Sequence, residues 1–367
     1  MMGEEQLNPL PPGEEFEHLK RVSRIKHVIL GKYFPPWATI LGSINSQLVY
    51  VDCFAGPGQY EMDGKSVEGS PVIAVREAAK LVQRGAVKNL LLYLVDDRRG
   101  QIERLNIRLN DQQPYPRNLE VSVMCADSHS FVPGLLPHLG SRVPAFFFID
   151  PYGHPLPLPV VRKILGRPRT EVLINLMWFQ INRDLNNPNV ESRLDDLFGG
   201  KEWRNQPFMK MHGIEREKAF ISYFSSQLKC KYVLPFKVRY DVEDMQNIRR
   251  TKYYLLHASN HPMAALLMKE VMWPLGDEKG TFAYSGGPQE VLISETPTEQ
   301  DLRDVLLNRF HGREITFDHL REETWNLHFI ARHYRVVLRQ LEGKDVTIIR
   351  VTSAKTGISG ADRIRFN

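Results

Sequence analysis

The chain reads as an α/β protein: a Rossmann-like sheet carrying a helical insertion, followed by a C-terminal winged-helix-like domain. Three observations predict this. Short runs that are apolar throughout alternate with amphipathic helical stretches, which is the pattern of parallel strands covered on both faces. The first such run stops at a small-residue turn with two glycines. The last seventy residues change grammar, to three helices and a terminal β-hairpin.

Residues 14–33 place Phe16, Leu19, Val22, Ile25, Ile29 and Leu30 near a 3.6 period, predicting an amphipathic helix. The first strand is Gln47–Asp52, ending in the turn Ala55-Gly-Pro-Gly58. A polar stretch runs to Gly69. Ser70-Pro71 then pairs an N-cap with proline at the first helical position, opening a helix over Val72–Gln83. Strand Asn89–Asp96 and helix Arg99–Asn110 follow. A third strand spans Leu119–Asp127 and a fourth Ala145–Asp150, with a helix near Pro159–Leu165 and a fifth strand over Glu171–Trp178. The rhythm then breaks. Residues 183–228 read as an insertion with helices at Leu194–Phe198 and Glu215–Leu228. Strands Tyr232–Tyr240 and Lys252–Ser259, joined by a polar loop with Arg249 and Arg250, and a helix from Pro262 to Trp273 complete a first domain over residues 14–275. Residues 276–297, rich in Gly, Pro and Ser, read as a linker. The domain at 298–367 has helices at Glu299–Phe310, Phe317–Trp325 and Ile330–Leu341, then strands Val346–Thr352 and Arg363–Phe366 around the hairpin Ser353–Gly360.

Composition bounds the function. With 42% hydrophobic and 25% charged residues the chain can build a large core and is not a disordered polyelectrolyte. The net charge of +5 is concentrated at the end of the chain. From Ala331 onward Arg332, Arg335, Arg339, Lys344, Arg350, Lys355, Arg363 and Arg365 face only Glu342, Asp345 and Asp362, so that segment is the candidate for an anionic partner, DNA or RNA. Cys53, Cys125 and Cys230 have no metal-ligand spacing, which fits a reducing compartment and no zinc site. The acidic, proline-rich N-terminus does not look like a signal peptide, and no apolar run is long enough to span a bilayer; a soluble, cytoplasmic protein without a membrane partner is expected.

The chemistry collects at strand ends. In Asp52-Cys-Phe-Ala-Gly56-Pro-Gly58 the glycines suit a tight turn beside a bound nucleoside, and Asp52 is placed to accept a hydrogen bond from a cationic ligand's ammonium. The pattern resembles motif I of Rossmann-like methyltransferases, which implies S-adenosylmethionine as cofactor and Asp52, Phe54, Ala55, Gly56 and Gly58 as binding residues. An ordinary glycine turn is the competing reading. A dinucleotide fingerprint fails, because Glu61 stands where its third glycine belongs. Asp96, with Asp97 as alternate, ends the second strand where an acid grips ribose hydroxyls. Asp127 and Ser128 follow the third, where this fold often sets an Asp against the adenine amino group. Asp150-Pro151-Tyr152 ends the fourth strand and is similar to the motif with which amino-methyltransferases orient an exocyclic amine of a base. That motif has two prolines and this chain has one, so a structural Asx turn competes with catalysis. Asn175, Trp178, Asn182 and Arg183 are candidates for the substrate mouth, although Asn175 also suits a buried amide and Trp178 the core. His154 suits an exposed loop.

Taken together, Tyr50–Tyr60, Glu68–Pro71 and Phe148–Gly153, with Lys26, Tyr33, Trp37 and Ala258–Pro262, resemble the three-Cys-motif partner proteins (TcmP) over most of the chain. The resemblance implies a methyltransferase-like fold, a C-terminal appendage and a three-Cys-motif protein as a partner. The combined expectation is a nucleic-acid base methyltransferase, with a non-catalytic binding protein as the rival.

Overall fold

The computed structural model describes residues 21–153, 155–240, 250–276, 282–284, 298–351 and 357–367. Helix α1 (Arg21–Gly42) precedes strand β1 (Leu48–Asp52). The hairpin β2 (Gln59–Met62) and β3 (Lys65–Glu68) leads to α2 (Ser70–Gln83). Then come β4 (Leu90–Asp96), α3 (Arg99–Asn110), β5 (Leu119–Cys125), α4 (Ser128–Leu135), β6 (Ala145–Ile149), α5 (Leu158–Leu165) and β7 (Thr170–Leu176). The insertion holds α6 (Trp178–Asp184), α7 (Glu191–Phe198) and α8 (Gly213–Gln227). It is followed by β8 (Tyr232–Arg239), β9 (Thr251–Ser259), α9 (Pro262–Met272) and the short β10 (Ala283–Tyr284). The last part comprises α10 (Glu299–Phe310), β11 (Glu314–Thr316), α11 (Phe317–Glu323), α12 (Ala331–Leu341), β12 (Val346–Ile349) and β13 (Arg363–Phe366).

The central sheet has eight strands in the order β10-β8-β9-β7-β6-β1-β4-β5. Strands β1, β4, β5, β6 and β7 pair in parallel, while β9 runs antiparallel to both its neighbours, β7 and β8. This is a Rossmann-like, mostly parallel sheet. Strand β9 is the exception to the parallel pairing, running against both its neighbours. The central strands β1 and β6 are buried throughout because each face has its own core. Leu48, Tyr50, Phe146 and Phe148 pack with α1 and α2 on one side. Val49, Val51, Phe147 and Ile149 pack with α5 and the insertion on the other.

Several boundaries differ from the sequence reading. Helix α1 continues beyond Tyr33 through Pro35 and Pro36 to Gly42. Two prolines remove two backbone donors, yet Phe34 and Trp37 continue the apolar face and are buried. The polar stretch after Gly58 forms the β2–β3 hairpin. Strand β5 stops at Cys125, because Asp127 caps α4, a helix that Pro133 and Gly134 disguise in the sequence. Ala283–Tyr284, inside the stretch read as linker, pairs with Lys237–Val238 as the edge strand. Arg249, Lys355 and His154 lie outside the described residues.

The C-terminal part has its own core around Leu306, Phe310, Tyr334, Leu338 and Phe366, and a three-stranded antiparallel sheet in the order β11-β13-β12. It is pinned to α9. Lys269 Nζ donates to the Trp325 and Leu327 carbonyls at 2.9 and 2.6 Å, and Glu270 accepts from Arg321 and from the Ala331 N–H. Burial draws the Lys269 ammonium down to about 7. Among the described residues no helix is long and apolar enough to cross a membrane.

Candidate functional site

The strand order reverses between β1 and its neighbours β4 and β6, and ligands of open α/β sheets bind beyond the carboxyl ends of the strands at such a point. The loops there bring together the residues that the sequence singled out after β1, β4, β5 and β6.

Strand β1 releases its chain at Asp52. The Ala55 N–H donates to the Val95 carbonyl at 2.8 Å, tying the turn to β4, and the Gly56 N–H donates to Asp96 Oδ2 at 2.9 Å. Gly56 and Gly58 have φ of +64° and +78°. Their need for glycine comes from the protein itself: a Cβ on Gly56 would sit 2.6 Å from the Tyr60 hydroxyl. One on Gly58 would sit 2.7 Å from Leu105 Cδ1 and 2.9 Å from Val72 Cγ2. The turn is therefore packed between the β2–β3 hairpin, α2 and α3. Gly58→Ala combines a left-handed backbone with overpacking and is expected to cost about 2–3 kcal/mol in urea unfolding.

Asp96 is buried, and both its oxygens are engaged. Oδ1 accepts from the Arg98 N–H and Nε, Oδ2 from Gly56 and Arg98 Nη2, each near 3.0 Å. The Arg98 guanidinium, half exposed, also lies 5.9 Å from the centre of the Tyr152 ring. It spans the mouth from the end of β4 to the loop after β6. The sequence reading missed Arg98. The only signal was its position two residues beyond a strand-end acid.

Asp127 caps α4, accepting from the His129 N–H, His129 Nδ1 and the Ser130 hydroxyl at 3.0–3.1 Å. Burial, the largest single effect, raises its carboxyl, but these bonds together outweigh it and hold the group below its ordinary value. Its side chain is half exposed, so a ligand can reach it. Ser128 is buried, with its hydroxyl on the Cys53 carbonyl, and Phe54 sets its ring edge-on to His129 at 6.4 Å.

Asp52 is turned inward and fully buried. Its oxygens accept from the Phe54 N–H at 3.4 Å and the Tyr50 hydroxyl at 3.3 Å, and from Ser70. Burial, the dominant effect, lifts its carboxyl to about 7 against the Ser70 bond, with the charge of Asp150 adding. In the unfolded chain the value is near 3.8, so the folded state binds the extra proton between pH 4 and 7 and loses stability as pH rises through that window. Asp52→Asn is expected to match wild type near pH 4 and to exceed it at pH 8 by about 2–4 kcal/mol in urea unfolding. Equal stabilities at pH 8 would refute the account.

Asp150 sits at the end of β6 in a small network. Lys26 Nζ from α1 lies 2.6 Å from Oδ2, and Asn175 Nδ2 from β7 donates to Oδ1 at 2.7 Å. The amide's orientation is fixed by that bond, which leaves Asn175 Oδ1 buried with no partner among the described residues. Pro151 is buried and Tyr152 is 96% exposed. Beyond Tyr152 a cleft of about 550 Å³ is lined by His129, Met177, Gln180, Asp184, Arg193 and Asp196. Trp178 belongs to the core, 5.0 Å from the Phe220 ring.

No family model and no curated protein matches the chain. Solved structures resemble it loosely. A Legionella pneumophila protein of the DUF519 family is 14% identical with a TM-score of 0.38, over 64% of this chain and 84% of its own. Trm1 from Pyrococcus horikoshii, in complex with S-adenosyl-L-methionine, is 9% identical with a TM-score of 0.35, over 90% and 80%. Magnesium protoporphyrin IX methyltransferase from Synechocystis, with bound S-adenosylhomocysteine, is 11% identical with a TM-score of 0.30, over 64% and 84%. At these identities and TM-scores the likenesses carry no argument about this chain's activity.

Arg98 on Asp96 has a chemical reading of its own. Its N–H groups satisfy a carboxylate too buried to be left alone. The unpartnered Asn175 Oδ1 likewise calls for a donor, beside a carboxylate that also accepts. A group with two N–H bonds fits that edge.

Proposed function

We propose that this protein is an S-adenosylmethionine-dependent methyltransferase acting on an exocyclic amine of a nucleic-acid base. The observation that carries it is the convergence of three strand-end carboxylates, Asp96, Asp127 and Asp150, on the reversal point of the sheet, with an orphaned amide oxygen beside the third. In this reading Asp96 holds the ribose diol once Arg98 swings out, and Asp127 takes the adenine amino group. The Phe54–Gly58 turn carries the methionine part. The cofactor supplies a methyl group on a sulfonium. The chain's part is orientation: Asp150 and Asn175 Oδ1 accept the two N–H bonds of the amine and aim its lone pair, and Tyr152 offers an exposed ring to the base. Lys26 holds Asp150 in place.

The C-terminal part, read as a winged helix through its helix order and three-stranded sheet, would hold the polynucleotide. Its charge is less available than the sequence suggested. Arg350 is paired with Glu342, and Arg363 and Arg365 with Glu314. The exposed face of α12, which carries Arg332 and Arg339, would face the phosphates.

The reading is tested by transfer of a labelled methyl group from S-adenosylmethionine to DNA and RNA by the full chain. A few phosphate contacts predict binding that weakens by about 10–100-fold between 50 and 200 mM salt. Absence of transfer to either polymer would end the proposal. A second reading, a non-catalytic partner of a three-Cys-motif protein, is favoured by one observation: Asp150 is already engaged by Lys26 and Asn175.

A further inference from the structure

At the opposite edge of the sheet, where β7 begins and β9 ends, lies a second pocket, of about 180 Å³. Ile40, Leu41, Ala264 and Leu267 give it an apolar wall, and Arg169, Thr170, Ser259, Asn260 and His261 line it as well. Glu171, 6% exposed, stands in the lining. Both bonds described for its carboxylate fall on Oε2, from the Tyr33 hydroxyl and from His257 at 3.0 Å, leaving Oε1 without a described partner. Trp37, 2% exposed, also lines the pocket, and its indole Nε1 has no hydrogen-bond partner among the described residues. Ile40 and Met263 are exposed at the rim, as are Arg169, Asn260 and His261.

The Trp37 indole N–H is buried without a partner beside this space, which is costly, and Glu171, whose Oε1 has no described partner, stands in the same lining. Together they specify a ligand with one acceptor and one N–H donor on an apolar body. The volume slightly exceeds that of cavities that take up benzene. We propose that this pocket binds a compact aromatic amide, its N–H on Glu171 and its carbonyl on the Trp37 indole. A purely cationic ligand would satisfy Glu171 but leave the indole unpaired. The pocket is separate from the cofactor edge, so the inference stands apart from the methyl-transfer reading.

The test is saturation-transfer NMR on the full chain with benzamide, benzamidine and toluene. Benzamide should bind, toluene on the order of tenfold more weakly. Trp37→Phe should weaken benzamide by a similar factor and leave toluene unchanged. Met263→Trp, which plugs the mouth from an exposed position, should weaken both, and Asp96→Ala should change neither. Toluene binding as well as benzamide, or benzamidine binding more tightly, would overturn the assigned ligand class. So would benzamide binding that is indifferent to both pocket variants. No binding of any probe to folded protein would remove the site.

Discussion

Calorimetric titration with S-adenosylmethionine is expected to show binding that Asp96→Ala weakens by about a hundredfold or more. A ribose diol on a buried carboxylate makes two charge-assisted hydrogen bonds, and Asp96 is the carboxylate that the β4 strand end and the Gly56 N–H hold in position. Arg98 makes the test sharper. Its guanidinium occupies the oxygens that a ligand must take, so Arg98→Ala should bind the cofactor as well as wild type or a few-fold better. A merely structural Asp96–Arg98 pair predicts the opposite, because removing either partner would then damage the loop alike. Folded wild-type protein that binds no S-adenosylmethionine would dispose of the cofactor assignment.

The second large effect belongs to Asp150. Replacing it with alanine should lower the rate of methyl transfer by about 10²–10³-fold, the scale seen when an oriented polar group at a reacting centre is lost. Cofactor affinity should stay within about twofold, since Asp96 and Asp127 are left in place. Lys26 complicates the variant, because it loses its partner in a nearly buried setting. Lys26→Met with Asp150→Asn removes both charges together and keeps an oxygen for the amine. If transfer by this pair were as slow as by Asp150→Ala, the carboxylate itself would be the needed group. Unchanged transfer in Asp150→Ala would sink the assignment.

Asn175 shows how far the sequence could carry the site. An amide inside an apolar strand reads as a satisfied buried group, and half of that is right: its nitrogen bonds Asp150 while its oxygen is left over. Periodicity placed Asn175 on a strand. It could not say which atom would remain unpaired, because that depends on β6 and β7 lying side by side.

The same division runs through the molecule. Local patterns determined the elements: apolar runs gave the strands, glycines the turn after β1, and Ser70-Pro71 the start of α2 to within one residue, although Gly69 is the N-cap and the Ser70 side chain bonds Asp52 instead. Residues with a special backbone or a strand-end position were legible for that reason. The β2–β3 hairpin and α4 were not. The hairpin is polar and hides its pairing, and α4 carries a proline and a glycine that tertiary packing tolerates. The reversed direction of β9 and the inward turn of Asp52 depended on neighbours far along the chain. So did the reach of Lys26 to Asp150, across 124 positions, and the convergence of Tyr33 and His257 on the carboxylate of Glu171. Sequence sets what each segment prefers to be. Which side chains meet, and which donors and acceptors are left without a partner, is decided when the sheet closes its order and two cores form on its faces.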